Sequence, residues 1–289
     1  MPHIYDSLFH SRAIRSIDSR IEDDPEPMVQ QQLARLMFVS EHIELKDKRI
    51  LEFGCGEGLN CDFLSGEAAS ICGFDLSETC VDLAKERYPR IQFLSADGCD
   101  PRLDISAGSW DVVLSFEVLE HVPDMMAFLR NLQRHVKPDG IVFLSTPNRE
   151  IFSLGHEPSP INREHIKELN FNELQRLLQG EFTNVEIWGQ RFKKPELLSA
   201  WSDDTRKKIS QLEMGTRWDS HKRPLADNPL AKLLYRNSAV RKAWKFLRWD
   251  LIEPMNRRKA LRNRPYGYED FEFTKDSDDA LWFCAILRP

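Results

Sequence analysis

Residues 50–60 read Ile50-Leu51-Glu52-Phe53-Gly54-Cys55-Gly56-Glu57-Gly58-Leu59-Asn60, a mostly apolar run that breaks into three closely spaced glycines. The run is short enough for a buried strand, and a glycine-dense turn lets backbone approach a ligand closely before a helix starts. Working outward, β-rich runs at 49–53, 70–74, 92–95, 110–116 and 140–145 alternate with helical patterns near 59–65, 78–88 and 124–135. Such alternation requires crossover connections, and hence a parallel sheet covered by helices on both faces. A helix at 28–42 precedes this block, and Pro138-Asp139-Gly140 marks a turn just before the fifth run. A helix at 172–178, a strand at 184–189 and a last strand at 279–288 complete the pattern. The predicted fold is α/β: a doubly wound Rossmann-like sheet, seven-stranded and mostly parallel with a last antiparallel strand, plus a mainly helical insert. Its divisions are an arm at 1–27, the α/β domain at 28–190 and 275–289, and the insert at 191–274.

Composition narrows the class. Of 289 residues 41% are hydrophobic and 30% charged, which suits a globular chain, and no run approaches the ~18 apolar residues of a membrane span. Residues 1–20 show no secretory signal pattern, so a cytoplasmic location is expected. The six cysteines form no Cys-x-x-Cys pair and no zinc-ligand spacing, so neither a disulfide framework nor a metal site is expected. The net charge of -6 is unevenly spread: residues 193–272 carry 19 Lys+Arg against 11 Asp+Glu, and the rest 21 against 35.

Two ligand classes compete for the glycine turn. A dinucleotide would rest its pyrophosphate on the helix N-terminus with Gly-x-Gly-x-x-Gly spacing, but Leu59 stands where the third glycine would fall. Glu52 and Glu57 flank the turn, and each would repel a pyrophosphate by about 1 kcal/mol. S-adenosylmethionine has no phosphate and carries an ammonium and a sulfonium, so acids beside the turn suit it. The next strand ends Gly73-Phe74-Asp75-Leu76, placing a carboxylate where it can accept ribose hydroxyls, as it also would in a dinucleotide site. The third ends Ser95-Ala96-Asp97-Gly98, an acid suited to the adenine amino group, and the fourth ends Phe116-Glu117-Val118-Leu119-Glu120-His121-Val122. Three successive strands thus deliver an acid to one edge.

These blocks resemble the class I S-adenosylmethionine-dependent methyltransferases, especially the group of ubiquinone-biosynthesis, glycan and natural-product O-methyltransferases. The resemblance covers about residues 28–190 plus the last strand. It implies that Glu52 and the Gly54, Cys55, Gly56, Gly58 turn hold the methionine end of the cofactor, Asp75 the ribose and Asp97 the adenine. Leu76 and Gly98 would lie near the adenine ring, and Phe116 and Glu117 on the cofactor side. Glu117, Glu120 and His121 are expected to open a helix, where acids suit the dipole.

Hydroxyl acceptors need a base, most often histidine at neutral pH. The loop after the fifth strand offers His156 and His165, the latter in a His-x-x-Glu segment that resembles the acceptor-facing segment of that group. His165 is the favoured base and His156 the weaker candidate. In 225–264, 11 Lys+Arg stand against 3 Asp+Glu and interleave with Trp and Leu, which suits a solvated helical cap, peripheral contact with anionic lipid, or a phosphorylated acceptor. The expected activity is O-methylation of a glycan, lipid-linked sugar or small metabolite. Methylation of a tRNA base and a non-catalytic cofactor-binding subunit are the alternatives, although the acidic remainder disfavours nucleic acid as a partner.

Overall fold

The structure, a computed structural model, describes residues 27–157, 159, 162, 164–213, 268–275 and 278–289. In chain order these form α1 (Pro27–His42), β1 (Arg49–Phe53), α2 (Leu59–Ser65), β2 (Ser70–Asp75), α3 (Glu78–Arg87), β3 (Gln92–Ser95) and β4 (Trp110–Phe116). A 3-10 turn (Leu119–His121), α4 (Met125–His135), β5 (Val136–Pro147), α5 (Arg149–Phe152), α6 (Phe171–Gln179) and β6 (Asn184–Phe192) follow. The last described elements are α7 (Pro195–Glu213), a second 3-10 turn (Tyr268–Asp270), β7 (Phe271–Thr274) and β8 (Trp282–Arg288).

One sheet runs β3-β2-β1-β4-β5-β8-β6-β7. Strands β1 to β5 pair in parallel, β8 enters antiparallel between β5 and β6, and β7 adds an antiparallel edge to β6. The chain moves outward from β1 to β3 and returns at β4, so strand order reverses between β1 and β4. In open α/β sheets the crevice beyond the carboxyl ends at such a point is where ligands bind.

The doubly wound, Rossmann-like fold is as expected, with one strand more than seven. The additional β7 lies in the stretch assigned to the insert; its four residues are too few to show a period, and its partner β6 lies some eighty positions earlier. Pro138-Asp139-Gly140 is carried inside β5 as a bulge rather than a separate turn: Val136 pairs with Trp110, and the next pair joins Ile141 to Val112. Residues 225–264, the basic stretch, lie outside the described residues.

Both faces of the sheet are buried, which explains the near-continuous apolar strands. Leu51, Phe53 and Val113 pack under Phe128 and Leu132 of α4 and Leu174 and Leu178 of α6. Ile50, Val112 and Leu114 pack on the opposite side under Leu36 and Val39 of α1, Leu64 of α2 and Val81 of α3. A third cluster joins Phe152, Phe192, Phe271 and Trp282, with Trp201 of α7 against it. Ser77 caps α3 by accepting from the Cys80 amide, and Asn170 and Glu173 form a reciprocal capping box on α6.

The turn after β1 uses its glycines for two purposes. Gly58 has φ +83°, and a methyl group there would stand 2.6 Å from Phe93 Cζ and 3.1 Å from Ala84 Cβ. Gly56 has φ +52° and nothing within 4 Å of that position. Gly58→Ala is therefore expected to destabilise the fold by roughly 2–5 kcal/mol, the sum of left-handed strain and overpacking. Gly56→Ala carries only the strain, about 1–2 kcal/mol, and its methyl fills the space above the turn. Urea unfolding of the two variants checks the ranking; equal midpoints would contradict it.

Candidate functional site

Along the carboxyl edge, strand order sets the residues after β2, β1, β4 and β5 side by side. Gly54 and Cys55 both donate their amides to Phe74 O at 2.9 Å, which fixes the turn against β2. Asp75 then clamps it: Oδ2 accepts from Gly56 N at 2.9 Å and Oδ1 from Ser77 N at 2.8 Å. The Asp75 carboxylate stays half-buried, and Leu76 beyond it is 72% exposed. Asp97 is exposed at the end of β3 and ties its own loop by accepting from Cys99 N at 2.8 Å. Gly98 passes so close to Phe128 that a side chain would not fit, and Asn131 holds Gly98 O at 2.8 Å. Neither acid caps a helix, since α3 has Ser77 and a turn follows Asp97. Nothing lies within 4 Å of a Cβ position at Gly56, and the half-buried Asp75, exposed Leu76 and exposed Asp97 follow at the ends of the next two strands.

Two of the acids read as rim charges serve otherwise. Alternation along β1 sends Glu52 to the same face as Ile50, toward α2, where it is 1% exposed. Its oxygens accept from Asn60 Nδ2 at 2.7 Å and Cys61 Sγ at 3.0 Å, so it ties β1 to α2 instead of facing the crevice. Glu57 turns outward to an ion pair with Arg87 of α3 at 3.0 Å. Asp75 is thus the acid left holding the turn at the sheet edge. Cys55 is 7% exposed, and burial pushes its thiol far up; only its backbone faces the site. Phe116 is likewise buried, at 6%.

Burial raises the Glu52 carboxyl from 4.5 to about 7, against the pull of Cys61 and Asn60. A raised acid contributes stability that is complete below pH 4.5 and is lost as pH climbs through 7. Glu52→Gln mimics the protonated form at every pH. Its unfolding free energy relative to the parent is expected to rise by about 3 kcal/mol between pH 4.5 and pH 8, at ~1.4 kcal/mol per pH unit. Denaturant titrations at both pH values test this, and a difference independent of pH would refute it.

A second group lies beyond β4 and β5. Glu117 does not begin a helix: it has φ +57°, and the 3-10 turn Leu119–His121 follows. Its Oε1 accepts from Ser145 Oγ at 2.7 Å and pairs with Arg35 Nη2 at 3.4 Å. Arg35, on α1, is 1% exposed, donates from Nε to Gln190 Oε1 at 2.8 Å and lies over the Trp282 ring. Glu120 is fully buried; burial and Glu117 raise its carboxyl well above the ordinary range. Thr146 Oγ1 bonds its Oε2 at 3.0 Å, and its Oε1 has no hydrogen-bond partner.

The sequence-predicted base belongs to this group. Ile166 N and Lys167 N both donate to Glu120 O, at 2.8 and 3.2 Å, and hang the His165 segment on the 3-10 turn. His165 is 8% exposed, its Nδ1 is 2.6 Å from Glu168 Oε1, and Phe152 stacks on its ring. His121 meets it edge-on at 4.7 Å between centroids, with Nδ1 3.0 Å from Glu164 O. Burial lowers the His121 imidazole, so it is neutral at pH 7 and donates from Nδ1, leaving a lone pair on Nε2. One ligand atom each of Glu120, His121 and His165 lies within 4.8 Å of the others. The cysteine count and spacing that pointed away from a metal gave no sign of this grouping, which has the spacing a divalent cation could bridge. His156 is exposed and stands apart from it. Arg35 is absent from the sequence expectations, although it is a lone cation in the apolar Leu33-Ala34-Arg35-Leu36 stripe, and Glu120 and His121, expected only to open a helix, belong to this group.

Comparison with known proteins gives the family and the fold. A family described as a methyltransferase domain matches residues 26–216. The chain is 38% identical over 141 residues to the "Probable S-adenosylmethionine-dependent methyltransferase" of Mycobacterium tuberculosis, covering 48% of this chain and 50% of that one. It is 36% identical over 117 residues to the ubiquinone biosynthesis O-methyltransferase of Coxiella burnetii, covering 40% and 50%. The chain thus spans about half the length of these curated relatives. A solved S-adenosylmethionine-dependent methyltransferase from Archaeoglobus fulgidus shares the fold with TM-score 0.52 at 13% identity, over 90% of this chain and 94% of that one.

Proposed function

The chain belongs to the methyltransferase domain family, its cofactor is S-adenosylmethionine, and from that footing we propose that it methylates a hydroxyl of a glycan, lipid-linked sugar or other small metabolite. The observation that carries this reading is the convergence of Glu120, His121 and His165 beside the cofactor edge. His121 Nε2 and Glu120 Oε1 have no hydrogen-bond partner among the described residues, and His165 Nε2 is left free once Nδ1 is held. Lone pairs converging in this way suit a ligand that brings its own hydrogens, as a hydroxyl does, and equally a divalent cation that would hold such an oxygen among them.

S-adenosylmethionine supplies a methyl group already activated by its sulfonium. Asp75 would accept from the ribose, the Gly54–Gly58 backbone would make room for the methionine end, and Asp97 would accept from the adenine. Glu117, held by Ser145 and Arg35, presents its second oxygen to the same edge. His165 takes the hydroxyl proton at Nε2, while Glu120 and His121 orient the acceptor. Phe152 covers the ring of the base and keeps water from it.

Among the described residues no helix is long and apolar enough to cross a membrane, and peripheral contact through 225–264 remains part of the proposal. The test is transfer of labelled methyl from S-adenosylmethionine to three pools: lipid-linked saccharides, small extractable metabolites and tRNA. Label in either of the first two, stable to mild base, supports O-methylation. Label in tRNA alone, or in nothing without a second protein, would replace it with the nucleic-acid or the non-catalytic reading.

A further inference from the structure

We infer that Glu168 is the positioning residue of the base: it holds His165 as the Nδ1–H tautomer and so leaves the lone pair on Nε2. This rests on His165 being the base, but the tautomer itself can be measured without any acceptor. Both side chains are sealed, at 5% and 2% exposure, and their contact at 2.6 Å is the shortest polar contact either makes. Glu168 Oε2 has no partner, so the carboxylate is directed wholly at the imidazole. A carboxylate accepts and does not donate, so the ring nitrogen facing it must carry the hydrogen.

The backbone on both sides prevents the pair from drifting apart. Upstream, Ile166 and Lys167 hang on Glu120 O. Downstream, Arg149 Nη1 donates to Glu168 O at 3.3 Å, Arg149 N donates to Leu169 O at 3.1 Å, and Asn148 bridges Leu169 at the end of β5. Among the described residues, His165 is faced by His121 on its edge, Phe152 on its face, Glu168 at Nδ1 and Glu120 within 4.8 Å. With Nδ1 committed, only Nε2 is left for chemistry. An imidazole in the other tautomer would present a hydrogen to the acceptor hydroxyl and could not take its proton.

The experiment is long-range 1H–15N NMR on the full chain labelled in histidine, at pH 8 with S-adenosylhomocysteine bound, and the His165 signals assigned by their loss in His165→Gln. The parent is expected to show His165 as the Nδ1–H form alone, and Glu168→Ala to make the Nε2–H form the majority. An Nε2–H signal in the parent, or an unchanged tautomer in Glu168→Ala, would overturn the assignment. The parent spectrum decides the matter even if the variant does not fold. Once an acceptor pool is labelled, Glu168→Ala should lower kcat by about 10- to 100-fold with S-adenosylhomocysteine affinity kept within twofold. A purely structural Glu168 would instead move stability and leave the tautomer alone. If His165→Gln leaves methyl transfer intact while the parent is Nδ1–H, the base reading fails and the positioning of the ring by Glu168 stands.

Discussion

Asp75→Ala is expected to weaken binding of S-adenosylhomocysteine by 100-fold or more, the loss of two charge-assisted hydrogen bonds of about 1.5–3 kcal/mol each. The carboxylate has two roles, since it also anchors the turn through Gly56 N and Ser77 N. Asp75→Asn keeps one acceptor oxygen and should fall between the parent and alanine. Calorimetric titration with S-adenosylhomocysteine, alongside NAD, measures both. Affinity unchanged by alanine would remove the ribose role from Asp75, and tight NAD binding would return the pocket to the dinucleotide class.

His165→Gln should lower kcat for methyl transfer by roughly 100- to 10,000-fold, the range of general-base catalysis, while cofactor affinity stays within twofold. The two effects separate because the His165 segment hangs on the 3-10 turn after β4, whereas the proposed ribose and methionine contacts lie at the β1 and β2 ends. Single-turnover measurements with labelled S-adenosylmethionine and the acceptor pool that takes label distinguish them. Loss of less than tenfold would leave His165 a packing residue, bonded to Glu168 for structural reasons alone.

The parts of the fold legible in the sequence are those whose signal is local. The turn at Gly54 to Gly58, the alternation of strands and helices, and the acids at the ends of β2 and β3 each follow from neighbours within a few residues. What sequence order conceals is direction and long-range partnership. Glu52 and Glu57 both sit beside the glycines, but one is turned inward by the period of the strand and the other is neutralised by Arg87, thirty positions on. Arg35 meets Glu117 across more than eighty positions, which no spacing rule reports. Glu117 looked like a helix start because acids favour that place; its positive φ belongs instead to a sharp turn, a conformation that costs energy and is concentrated at functional sites. The four residues of β7 cannot be told from loop by pattern, because so short a run has room for only two alternations.

Phe192, where β6 ends, pairs with Phe271, where β7 begins. The chain between them thus departs from and returns to the sheet on a single rung of the ladder. A segment that starts and ends on neighbouring antiparallel strands at one edge can change in length without re-threading β1 to β5, in the way a common handle accepts different blades.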